Sequence, residues 1–313
     1  MTPGRMVWCD GRLVPTEQAT VSVLAHALHY GSSVFEGIRA YRTPRGPAVF
    51  CLGPHLARLR DSCRIFRMEL PYTAEQLEDA VVQTVRASGF DSCYIRPIVF
   101  RGAGSFSLDP RRSPLHVAVI VVEWGRYLGA DAIEQGVDVM VSSWRRLAPG
   151  TGTPMGKIGG QYVTSQFITM EAADLGYAEG IALDSAGFVS EGSGENIFVV
   201  KDGVVYTPPL TSAILPGVTR GVVMTLCADL GIPVREAPLL RDFLYVADEI
   251  FFTGTAAEIT PVRSVDRIPV GAGRGPVTRR LQEEFFGITD GRVPDRHGWL
   301  TYVQAARPAA EAR

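Results

Sequence analysis

Apolar and polar positions change their period several times along the 313-residue chain, and each change predicts an element. Alternation on both sides of Asp10-Gly11 in "MVWCDGRLVP" predicts a hairpin, because Asp-Gly supplies the positive backbone angles of a tight turn. "AVFCL" and "CYIRPIVFRG" read as further strands. Between them, Leu56, Leu59, Cys63, Phe66 and Met68 recur near helical spacing, and "TAEQLEDAVVQTVRASGF" adds a second helix with early acids and a glycine stop. "PLHVAVIVVEW" is apolar almost throughout, as a buried strand is. "GRYLGADAIEQG" has weak periodicity and reads as a linker.

Beyond it, "VDVMVSSWRR" resumes strand alternation, "SQFITMEAADLGY" is helical, and residues 179–209 form a meander of strands. The turns of that meander are Asp184-Ser185-Ala186-Gly187 and Lys201-Asp202-Gly203. "LPGVTRGVVMTLCADLGI" opens a helix with Pro216 near its start and closes it at Gly231. Length alone favours two domains.

Composition narrows the partners. The chain is 46% apolar and 20% charged, so it can bury sizeable cores, and its net charge of −2 shows no run of like charges. It lacks the footprint for nucleic acid or an anionic membrane, which leaves small molecules or copies of itself. The N-terminus carries Pro3, Gly4 and Asp10 where a signal peptide needs an apolar core, and five scattered cysteines suit a reducing compartment. A cytoplasmic setting is expected. His26 and His29 have metal-like spacing but no acidic or thiol company, so packing is the expected role.

Of 31 basic residues only Lys157 and Lys201 are lysines. Lys201 belongs to a hairpin turn. Lys157 stands between Gly156 and Gly159-Gly160 in "TPMGKIGGQYVT", where an amine can approach a ligand unshielded. Arginine keeps a charge, but only an amine condenses with an aldehyde. A surface-loop lysine is the plain alternative. "SEGSGENIF" adds Glu191 and Glu195 in a glycine-rich turn, which are either exposed acids or a carboxylate facing a pyridine nitrogen. The N–H groups of Gly217, Val218 and Thr219 in "LPGVTRG" begin a helix and would suit a phosphate, or be capped in the ordinary way. Gly254, Thr255 and Ala256 in "FTGTAAEITPV" offer more donors, and Arg58 a guanidinium. "GAGRGP" at 271–276 lacks the context of a dinucleotide loop and reads as a surface loop.

Taken in order, "HYGSSVFEGIRAY", "HLARLRDS", "YIRP", "WGRYLG", "GKIGGQY", "SEGSGENIF", "LPGVTR" and "GTAAEITPVRSVD" resemble the class IV (fold type IV) aminotransferases that use pyridoxal 5'-phosphate, and among them the branched-chain amino acid aminotransferases. The resemblance spans about residues 6–303. It implies an α+β fold of two domains: a small α/β domain at 1–124, a linker at 125–137, and a larger pseudo-barrel α/β domain at 138–313, with the cofactor in the cleft. Lys157 would bind the cofactor aldehyde and carry the Cα proton. Glu191 would face the pyridine nitrogen, Tyr162 the phenolic oxygen, and Arg58, Val218, Thr219 and Thr255 the phosphate. Thr255, Ala256 and Tyr94 would take the substrate α-carboxylate. Tyr30, Phe35, Trp124, Tyr127 and Tyr162 would line the side-chain pocket, and Arg96 would meet the distal carboxylate of glutamate. The implied substrates are branched-chain L-amino acids and 2-oxo acids in ping-pong exchange, in a homodimer or larger assembly.

Two positions depart from the family pattern. Gln161 replaces a usual asparagine. In "GAGSFSLDP" (102–110), Ser105, Phe106 and Ser107 occupy a loop that in relatives covers the neighbouring subunit's pocket, so Phe106 and Leu108 are expected at the substrate and side-chain preference is expected to change. The same fold also hosts D-amino acid and amine transaminases and aminodeoxychorismate-type lyases. "YIRP" and "FEGIRAY" argue against these, and colourless protein in the presence of pyridoxal phosphate would mark a non-catalytic relative.

Overall fold

The computed structural model describes residues 2–125, 128–129, 131–271 and 273–303. It is a mixed helix and sheet protein of two compact units, Met1–Trp124 with Ile288–Arg313, and Gly125–Gly287.

The first unit contains β1 (Thr2–Pro3), β2 (Met6–Cys9), β3 (Arg12–Pro15), α1 (His26–Tyr30), β4 (Ser33–Phe35), β5 (Ile38–Thr43), β6 (Gly46–Phe50), α2 (Leu52–Ile65), α3 (Ala74–Ser88), β7 (Cys93–Arg101) and β8 (Leu115–Glu123). β2 and β3 form the predicted hairpin, with Asp10 and Gly11 both at positive φ. α3 starts on a capping box between Thr73 and Gln76 and stops at Gly89 in the left-handed region. β7 runs antiparallel to β8 from Tyr94↔Val122 to Arg101↔Leu115 and also carries β4 and β5. Alternation along β7 buries Ile95, Pro97 and Val99 while leaving Arg96 half-buried on the opposite face.

The second unit contains α4 (Ala132–Gln135), β9 (Val137–Arg145), α5 (Tyr162–Asp174), β10 (Glu179–Leu183), β11 (Val189–Gly192), β12 (Asn196–Lys201), β13 (Val204–Thr207), α6 (Val218–Asp229), β14 (Val234–Glu236), β15 (Glu249–Gly254), β16 (Glu258–Val265), β17 (Ile268–Pro269) and most of α7 (Pro276–Thr289). Its sheet is ordered β11-β10-β9-β16-β15-β12-β13-β14. β9 is parallel to both of its neighbours, and β12, β15 and β16 are antiparallel. The core is built on β-branched and aromatic side chains such as Val139, Ile181, Ile197, Val199 and Phe252. Phe198 and Phe251 stack across β12 and β15 at 5.1 Å.

Two expectations change. The larger domain does not run to residue 313. The chain returns to the first unit, where β18 (Leu300–Tyr302) pairs antiparallel with β6 and Cys51 N–H donates to the Trp299 carbonyl at 2.7 Å. That pairing covers the edge that β6 would otherwise expose. The segment read as a linker falls in the second unit and includes α4, while Arg126, Tyr127 and Ala130 lie outside the described residues. The "GAGRGP" loop leads into α7, a helix the hydrophobic pattern did not predict. The Glu249 carboxylate on β15 accepts from Val277 N–H (3.0 Å) and Thr278 N–H (2.7 Å), so the protein itself supplies the anion at that helix start.

Candidate active site

Within the second unit, Lys157 lies half-buried just before the turn that enters α5. Its Nζ donates to the Tyr162 hydroxyl in the first turn of α5 at 2.5 Å. Gln161, the departure noted above, ties this loop together: its Oε1 accepts from Thr153 N–H (2.9 Å) and its Nε2 donates to Thr153 Oγ1 (2.6 Å). The lysine therefore sits in a loop closed by its own side-chain bridge.

Glu191 is on β11 and 4% exposed, so the exposed-turn reading of "SEGSGENIF" is overturned. Arg146, immediately after β9, approaches Oε1 at 2.8 Å. Oε2 accepts from Asn196 Nδ2 (2.9 Å) and from Leu215 N–H (3.1 Å). Arg146 also donates through Nη1 to Ser165 Oγ on α5 at 3.2 Å. A continuous path thus runs from the helix bearing Tyr162, through Arg146, to Glu191 and on to the segment that begins α6. Charged hydrogen bonds of this kind are shorter and stronger than neutral ones, and they fix the plane of the carboxylate.

Val218 and Thr219 are the first two residues of α6, capped by Gly217. The Gly217 position is sterically closed: a Cβ there would stand 1.9 Å from Asn196 Oδ1. Thr255 and Ala256 form the turn between β15 and β16, joined to Glu191's surroundings through the pairing of Thr253 with Asn196. Thr253 Oγ1 is buried and makes no hydrogen bond among the described residues. Such an orphaned donor, on the strand that leads into the Thr255–Ala256 turn, is chemically suited to an oxygen-rich ligand.

The other expected residues that are described lie in the first unit, and apart from Arg58 they form two groups. Arg96 donates from Nη2 to the Tyr94 hydroxyl (2.7 Å) and stacks its guanidinium on Phe35 (4.5 Å), while Trp124 meets Tyr94 edge-on (4.8 Å). Gly37 allows this, since a Cβ there would lie 2.2 Å from the Tyr94 hydroxyl oxygen. Tyr30, Phe106 and Leu108 are instead exposed, with Tyr30 OH donating to the Phe106 carbonyl at 3.2 Å and His29 edge-on to Phe106. Serines stitch that loop: Ser107 N–H donates to Ser105 Oγ (3.0 Å) and Asp109 N–H to Ser107 Oγ (3.3 Å). Tyr127 lies outside the described residues. His26 bonds Ser32 Oγ and the Ser107 carbonyl, a packing role.

Arg58 on α2 is clamped by a residue whose role has no signal in the sequence. Glu36, fully buried, accepts from Arg58 Nε (2.7 Å) and Nη2 (2.8 Å), and bonds His55 Nδ1 at 2.8 Å. Burial pushes the Glu36 carboxyl up, but the Arg58 charge and its hydrogen bonds, with those of His55, win and hold it well below the usual range. The opposite holds for Glu195. Burial, and then the Glu179 carboxylate, push its carboxyl well above the usual range, and Glu179 is raised as well, first by burial. Arg146, Glu36 and Glu179 carry no local sequence signal, because their partners come from distant segments.

The chain matches the amino-transferase class IV family model over residues 33–265. It is 50% identical over 301 residues to the branched-chain-amino-acid aminotransferase of Salmonella typhimurium, covering 96% of this chain and 97% of that protein. It superimposes on the crystal structure of the Escherichia coli branched-chain amino acid aminotransferase with a TM-score of 0.94 at 49% identity, covering 96% of this chain and all of that one. The branched-chain amino acid aminotransferase from Thermobaculum terrenum, solved in its PLP form, aligns with a TM-score of 0.90 at 31% identity over 97% of this chain and all of that one. With the Lys157–Tyr162 pair, the braced Glu191 and a family match over more than half its length, the chain belongs to the class IV aminotransferases.

Proposed function

We propose that this aminotransferase exchanges the amino group between branched-chain L-amino acids and 2-oxoglutarate, using pyridoxal 5'-phosphate held at Lys157. The observation that carries the reading is the Lys157 amine directed at Tyr162 within the frame that also braces Glu191. Half of the sequence is identical to relatives named for branched-chain amino acids, which supports the substrate class.

The residues present fit the cofactor: an amine for its aldehyde, an anion for its ring nitrogen, and helix-start and turn donors, with the orphaned Thr253 hydroxyl, for its phosphate. When bound, pyridoxal phosphate supplies an aldehyde that condenses with amines and a ring that draws electrons from the substrate Cα. Lys157 Nζ is then the base that takes the Cα proton and returns it, and the Tyr162 hydroxyl orients it. Glu191, set by Arg146, Asn196 and Leu215 N–H, favours a protonated ring nitrogen. Val218 and Thr219 at the start of α6, with Thr255, would hold the phosphate. The Thr255 and Ala256 N–H groups would bind the α-carboxylate.

Arg96 is suited to the distal carboxylate of glutamate: its guanidinium is stacked on Phe35 and hydrogen-bonded through Nη2 to Tyr94, while its buried Nε has no hydrogen-bond partner among the described residues and leaves a donor for an acidic side chain. A panel of amino donors with 2-oxoglutarate as acceptor tests the reading. Valine, isoleucine and leucine should be turned over in ping-pong fashion; activity confined to D-amino acids or amines would overturn it. A cytoplasmic homodimer fits the five free cysteines, four of them buried, and the exposed apolar side chains Val23, Leu28, Phe106 and Leu108.

A further inference from the structure

We propose that Asn196 is a positioning residue whose carboxamide sets the distance between the Glu191 carboxylate and the start of α6, and so the spacing between the two ends of the bound cofactor. The inference rests on the reading that Glu191 faces the ring nitrogen and α6 the phosphate.

Both hydrogens of the Asn196 amide are used across that gap: Nδ2 donates to Glu191 Oε2 at 2.9 Å and to the Leu215 carbonyl at 3.0 Å. The return contact, Leu215 N–H to the same Glu191 oxygen at 3.1 Å, closes a ring of three residues. Oδ1 lies so close to Gly217 that a Cβ could not be placed there. Three sides of the amide are therefore fixed by the acid, by the chain entering α6 and by the α6 cap itself. Its backbone is fixed too, since Asn196 is paired to Thr253 in the middle of the sheet and is 5% exposed. On the other side of Glu191, Arg146 holds Oε1, so the carboxylate is gripped from three separate segments.

The chemistry requires an amide. Aspartate has nearly the same shape but no hydrogens to donate, and it would set a second negative charge against Glu191. Alanine removes the strut without adding charge. A ligand held at two ends loses affinity for its phosphate when the ends drift out of register, whereas a merely structural residue lowers stability and leaves that preference intact.

The test compares protein stripped of cofactor, as wild type, Asn196→Ala, Asn196→Asp and Glu191→Gln, for affinity toward pyridoxal 5'-phosphate and toward pyridoxal, which lacks the phosphate. The visible band of each reloaded enzyme is titrated against pH. Asn196→Ala should lower the preference for the phosphorylated ligand by about tenfold to a hundredfold, the effect of losing hydrogen bonds to a charged group, and should shift the titration of the band. Asn196→Asp should do so more strongly. An Asn196→Ala protein that unfolds like wild type and keeps both the preference and the titration curve would overturn the proposal. If Asn196→Asp does not fold, Asn196→Ala decides alone. Should Glu191→Gln leave the titration unchanged, or wild type show no preference for the phosphate, the underlying site reading fails instead.

Discussion

Lysine at position 157 is replaceable in charge but not in chemistry, because a guanidinium neither condenses with an aldehyde nor yields its proton near neutral pH. Lys157→Arg should fold as wild type by circular dichroism and lose the visible cofactor band, with turnover down at least about 10²-fold, as for loss of a general base. Retained transamination would contradict the assignment. Phe106 offers a second check at this scale. It is exposed in a loop stitched by Ser105 and Ser107, so Phe106→Leu should leave stability unchanged and alter the relative kcat/KM for leucine against valine and bulkier donors. Unchanged ratios would remove Phe106 from the substrate-binding set. The sequence singled out Lys157, Glu191 and Gly217 as candidates because a residue type and its neighbours already restrict their chemistry, and it left a plain alternative open for each. Arg146 and Glu36 were not singled out, since an arginine or a glutamate gains meaning only from its partner.

Elements with local signals were predictable and elements with distant ones were not. α3 (Ala74–Ser88) carries early acids and ends at Gly89, both read from "TAEQLEDAVVQTVRASG", while its reciprocal cap between Thr73 and Gln76 is added by the structure. Thr73→Ala should cost about 1 kcal/mol of stability in urea unfolding and leave turnover unaltered, because nothing at that end of the helix belongs to the candidate site. α7 has no such signal: its first amides are capped by Glu249, from a strand in the middle of the sheet. Gly275, just before it, is pressed against that carboxylate, with a Cβ position 2.2 Å from its carboxyl carbon. A helix start of this kind is invisible until the sheet has placed the acid.

At the scale of the whole molecule, buried carboxyls set opposite pH limits. Glu36 is held ionised in the folded state, so its contribution is present above the ordinary carboxylate range and fades as pH falls below it. Glu195 keeps its proton to higher pH in the folded chain than in the unfolded one, so stability is whole below the ordinary carboxylate range and declines as pH rises through the folded value. Glu195→Gln, neutral at every pH, should flatten that decline in melting temperature measured from pH 5 to 9; an unchanged slope would show that the Glu179–Glu195 pair does not titrate there. The hydrophobic pattern with its glycines marked most strands and helices, and residue types at close spacing marked Lys157, the acids of "SEGSGENIF" and the backbone donors of "LPGVTRG" as candidates. Only the tertiary structure decided that the chain's end closes the first sheet rather than extending the second unit. It also decided that Glu191 is gripped by Arg146 and Asn196, and that Glu195 is buried beside Glu179. The division follows from range: propensity and capping act between near neighbours, whereas strand pairing and burial of charge join residues that the sequence keeps far apart.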